Sequence, residues 1–121
     1  MIRALARRTW VHVAVGALLM GAWAVFANRM HPMAERLQAG VVQAVLSGTL
    51  TALLKTVADH LRLHLPHWSL AAGITFVLSA ALLLKVHAMA GTPEIGPTVA
   101  VPLAVSGTYV FAYSYLRATD A

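Results

Sequence analysis

Four apolar runs of membrane-crossing length alternate with three short polar or proline-containing breaks along this chain. The runs are Trp10–Ala27, Gln38–Val57, Trp68–Ala88 and Ile95–Leu116. At about 1.5 Å of rise per residue, each is long enough as a helix to traverse the hydrocarbon core, given some tilt or interfacial ends. The breaks are Asn28 to Pro32, Leu65-Pro66-His67 and Gly91-Thr92-Pro93-Glu94. Short connections between long helices favour antiparallel neighbours. The expectation is therefore an all-α membrane protein, a single integral domain over residues 1–121 with four transmembrane helices in an up-down-up-down bundle. The second helix is expected to overrun its span, from about Pro32 to His64, with both ends in headgroups or water. Thr92 as N-cap, Pro93 at the first helical position and Glu94 in the first turn mark the start of the fourth helix. Pro102, deeper in that helix, is expected to kink it.

The second run carries a finer pattern. Small residues recur at Gly40, Ala44, Gly48 and Ala52, and polar ones at Gln43, Ser47, Thr51, Lys55 and Asp59. Both rows have helical i,i+4 spacing and lie side by side on one face. Small and hydroxyl-bearing residues make poor lipid contact but allow close helix approach and interhelical hydrogen bonds. Gly40, Ala44, Gly48 and Ala52 are thus the candidate packing face, and Gln43, Ser47, Thr51 and Lys55 the candidate polar path. Thr75, Ser79, Ser106 and Thr108 are available to face them from the third and fourth helices. Such rows also serve ordinary helix packing, so by themselves they name no ligand.

Composition fits this picture. With 60% apolar and 11% charged residues, the chain has too little charged surface for a water-soluble domain of its size. The net charge of +5 is spread over the flanks of the spans, which points to anionic headgroups and away from nucleic acid. Arg3, Arg7, Arg8, Lys55, Arg62 and Arg117 fall on one side, and Arg29, Arg36 and Lys85 on the other. The positive-inside rule then places both termini in the cytoplasm. The basic start followed by an apolar run also has the form of a signal peptide, but the run is longer than a usual signal core, and a retained first helix is expected. The absence of cysteine excludes disulfides and thiolate chemistry.

Several ionisable groups are candidates for chemistry. His60, His64 and His67 near the end of the second helix have spacing that can chelate a metal, yet they equally complement a helix C-terminus. His12 and His87 are expected near opposite faces of the membrane, so they cannot share a haem iron. Lys85, His87 and Glu94, with Arg29 and His31, form a candidate polar cluster on the outer side, including a Lys85 to Glu94 ion pair. No nucleophilic triad, phosphate loop or zinc-protease motif is present, so no enzyme, metal or cofactor is expected.

Gly40 with Gln43, Ser47 and Lys55, then His87, Gly91-Thr92-Pro93-Glu94-Ile95 and Val101-Pro102, resembles a group of small four-span inner-membrane proteins of proteobacteria. That resemblance implies a multi-pass location in a bacterial inner membrane and brings no activity with it. Small multidrug resistance transporters share the length and span count, but their first span carries a glutamate, and Trp10–Ala27 has none. The expected function is helix association, with itself or as an accessory subunit of a larger membrane complex; the alternatives are transport or lipid translocation by a homo-oligomer along Gln43, Ser47, Thr51 and Lys55, and a holin-like pore.

Overall fold

In hydrocarbon every backbone N–H and C=O must be satisfied within the protein, which drives long apolar runs into helices. The computed structural model describes the backbone of residues 2–119 and the side chains of residues 10, 11 and 13–119. Arg3, Arg7, Arg8 and the ring of His12 lie outside those described side chains. Four helices follow in order: α1 (Ile2–Ala27), α2 (Met33–His64), α3 (Trp68–Ala90) and α4 (Ile95–Thr119). There is no strand among the described residues. α2, α3 and α4 are each long and apolar enough to cross a membrane, and Val13–Ala27 of α1 forms a shorter apolar stretch. Leu18, Val45 and Val77 are among many large apolar side chains on the outside, as a lipid-facing surface requires.

α2 is the central element and packs against each of the other three; α1 and α3 do not touch among the described residues. Its contact with α1 is backbone on backbone at Gly21 and Gly40. A Cβ on Gly21 would sit 2.9 Å from the Gly40 carbonyl oxygen and 3.0 Å from Ala44 Cβ. Gly48 meets α1 more loosely, with Val13 at 3.8 Å and Ala17 at 4.0 Å from a Cβ at that position. The opposite side of α2 sends Leu46, Leu50 and Leu54 into a core with Leu83 of α3 and Val99 of α4.

The α3–α4 connection is built differently from its sequence signature. Gly91, at φ 72°, ends α3 in the left-handed conformation. Its N–H bonds the Ala88 carbonyl at 3.2 Å, and the Thr92 N–H bonds the His87 carbonyl at 3.0 Å. These two bonds form a Schellman motif, so Thr92 closes α3 rather than capping α4. Glu94 supplies the carbonyl that receives the Thr98 N–H at 3.0 Å and opens α4. Pro102 is buried within a continuous α4.

Candidate ligand-binding site between the first and last helices

Two buried polar clusters tie the helices together at the end that holds both the 28–32 and the 91–94 connections. The first is centred on Asn28, which is fully buried. Its Nδ2 donates to the Ala24 carbonyl at 2.8 Å and to Thr98 Oγ1 at 2.7 Å. Its Oδ1 accepts the Glu94 backbone N–H at 2.9 Å. Trp23 Nε1 donates to the Pro97 carbonyl at 2.9 Å, completing a clasp of α1 on α4. Glu94 Oε1 lies 3.0 Å from His31 Nε2, and Glu35 lies 3.9 Å from the other ring nitrogen.

The second cluster runs inward. Thr92 Oγ1 donates to His87 Nδ1 at 2.7 Å, and His87 Nε2 donates to Gln43 Oε1 at 2.8 Å. Gln43 Nε2 in turn donates to Ser47 Oγ at 2.8 Å. Since a carboxamide oxygen only accepts, the proton on His87 resides on Nε2 and Nδ1 takes the threonine hydroxyl, which matches a neutral imidazole. Gln43 and His87 are both fully buried. Four side chains thus form a directed chain from the α3–α4 turn to the middle of α2.

That chain ends at a cavity. Beyond the clasp, the space between α1 and α4 is a pocket of about 350 Å³ floored by α2. Gly16, Leu19 and Met20 line it from α1, and Pro102, Val105, Ser106 and Tyr109 from α4. Gln43, Ser47 and Thr51 form a polar row on the α2 wall, between Leu50, Leu54 and Leu83. No charged side chain is among the lining residues. At the far end of the helices, Tyr113 Oη donates to both Asp59 carboxylate oxygens at 3.0 Å, with Arg117 Nε 3.9 Å from Asp59. The Trp68 ring packs edge-on against Tyr115 nearby, with centroids 5.3 Å apart.

The sequence-derived candidates divide accordingly. Gly40, Ala44 and Gly48 face α1, whereas Ala52 is exposed. Gln43, Ser47 and Thr51 line the cavity, and Lys55 is exposed and outside it. The cause is helical drift: an i,i+4 row advances by about 40° per step, so by the third step each row has turned about 120°. The expected cluster of Lys85, His87 and Glu94 does not assemble. Two residues along a helix are about 200° apart, so Lys85 is exposed while His87 is buried. Glu94 meets His31 and Asn28 of the other connection instead of Lys85. The rings of His60 and His64 are tilted at 38° with centroids 4.6 Å apart, and the Nδ1 of His64 lies 2.9 Å from the His60 carbonyl oxygen. Asn28, Thr98 and Gly21 were not singled out from sequence, although an asparagine beside a proline-led helix start was a visible signal.

Comparisons with protein-family models, with curated proteins and with solved structures give no match.

Proposed function

We propose that this chain is a non-enzymatic, multi-pass protein of a bacterial inner membrane that takes an amphiphilic molecule from the bilayer into the α1–α4 cavity, as a small transporter or lipid-translocating protein. It crosses the membrane four times, up-down-up-down, with both termini cytoplasmic and anionic headgroups around its basic flanks. Three long apolar helices support the membrane setting, and the distribution of Lys and Arg supports the orientation. The observation that carries the functional reading is the polar row Gln43, Ser47 and Thr51 on the wall of an otherwise apolar cavity. Small-molecule sites have this composition, an apolar lining with a few convergent polar groups, and occur between helices of bundles.

The test is flux or scrambling of a panel of fluorescent amphiphiles in vesicles containing the purified protein. Val105→Trp fills the cavity from a partly exposed position and should stop the activity without unfolding the protein. An active Val105→Trp variant, or no flux with any member of the panel, contradicts the reading.

A second reading, helix association with itself or as an accessory subunit, has one specific support. Gly73 of α3 faces open space within a shallow groove formed by Ser69, Leu70, Ile74, Val77 and Leu78. A glycine open to the outside lets another helix approach closely at that point, whereas Gly40, Ala44 and Gly48 are already engaged with α1. Gly73→Leu should abolish any homo-oligomer seen by native mass spectrometry; an unchanged oligomer excludes this face.

A further inference from the structure

We infer that the cavity recognises an uncharged amphiphile through a carbonyl oxygen, which accepts a hydrogen bond from Ser47 while its apolar remainder lies between α1 and α4. This rests on the binding role proposed above and specifies its ligand. The cavity wall carries hydroxyls and a carboxamide but no charged group, so a phosphate or ammonium entering it would lose hydration with no counter-charge. A charged headgroup is therefore disfavoured, and a neutral polar group is accommodated.

Hydrogen-bond direction then selects the kind of neutral group. Donation runs from Thr92 to His87, to Gln43, to Ser47 Oγ. Ser47 Oγ accepts a hydrogen bond from Gln43, so its own hydroxyl hydrogen remains to be donated, and Ser47 lines the cavity. Among the described residues no acceptor takes that hydrogen. A donor polarised by upstream donors is strengthened for the next acceptor in line. Gln43 sets the polarity of the row: its carboxamide oxygen meets buried His87 Nε2, which directs its amide nitrogen toward Ser47, while Thr92 occupies Nδ1. His87 and Gln43 are positioning residues, and Ser47 is the ligand contact. A volume of about 350 Å³ is at the small end for ligand pockets, which suits the polar end of a longer molecule. Two membrane-soluble groups share this chemistry: the ester of a diacylglycerol and the carbonyl of an isoprenoid quinone.

The experiment is native mass spectrometry of the full chain titrated with dioleoylglycerol, decylubiquinone, dodecyl phosphate and dodecyltrimethylammonium. One or both neutral probes should bind, and which of them binds identifies the source of the carbonyl. Ser47→Ala should weaken that binding about tenfold, as loss of one ligand hydrogen bond does. Val105→Trp should remove it, and Ser47→Thr, which keeps the hydroxyl, should retain it. Tighter binding of a charged probe, blocked by Val105→Trp, overturns the neutral-carbonyl inference while leaving the cavity's binding role intact. Neutral binding indifferent to Ser47→Ala does the same. Failure of every probe to bind the folded protein overturns both.

Discussion

His87 of α3 and Gln43 of α2 are 44 residues apart in sequence and share a 2.8 Å hydrogen bond that is closed to solvent and lipid. Replacing either partner alone with leucine strands the other. Gln43→Leu and His87→Leu should each cost about 1–3 kcal/mol of stability. The double variant should cost less than the sum, with a coupling of roughly 0.5–2 kcal/mol. Equilibrium unfolding in mixed micelles measures all three, and strict additivity would show that the pair does not act as a unit.

The glycines of the α1–α2 contact should rank by the space around them. Gly21→Ala forces a Cβ to 2.9 Å from the Gly40 carbonyl oxygen and should destabilise by about 1–3 kcal/mol. Gly48→Ala meets nothing closer than 3.8 Å and should be neutral or stabilising by up to about 1 kcal/mol, because alanine favours the helix. The same unfolding assay reads both, and the reverse order contradicts the crossing described here.

Much of this arrangement was legible in the sequence, in proportion to how far periodicity extends. Gly40, Ala44, Gly48 and Ala52 stand out because small residues repeat at i,i+4 along one face, although the last of them, Ala52, turns out to be exposed. Gly21, which packs against Gly40 and Ala44, is one glycine in an apolar run, and nothing local distinguishes it from cavity-lining Gly16. The polar row is visible from Gln43 to Lys55, but its drift of about 40° per step around α2 carries Lys55 away from the cavity. Lys85 and His87 are neighbours in sequence, but helical geometry sets them on nearly opposite sides. The pairing of Asn28 with Thr98 and Glu94 spans about 70 positions and depends on how two hairpins dock, which no local pattern encodes.

The Asn28 clasp makes a local prediction. Asn28→Ala removes the acceptor of the Glu94 N–H and the donor to Thr98. Hydrogen exchange at the Glu94 amide should accelerate by roughly ten- to a hundredfold, while amides near Leu50 in the core stay protected. Unchanged exchange at Glu94 would show that the clasp does not hold the start of α4.

Orientation is testable in the same protein because it contains no cysteine. Met30, 86% exposed in the first connection, and Leu63, 75% exposed near the end of α2, mark the two ends of the bundle. In intact bacterial cells whose outer membrane admits the reagent, Met30→Cys should react with an impermeant maleimide, and Leu63→Cys only after lysis. The opposite pattern inverts the topology.

The most direct test of the central claim is native mass spectrometry of the wild-type chain and of Val105→Trp, both released from their own membranes in mild detergent. The wild-type species should carry one defined uncharged lipid-like adduct, and the folded variant should lack it. A bare wild-type protein, or the same adduct on both chains, would contradict the assignment of the α1–α4 cavity as a binding site.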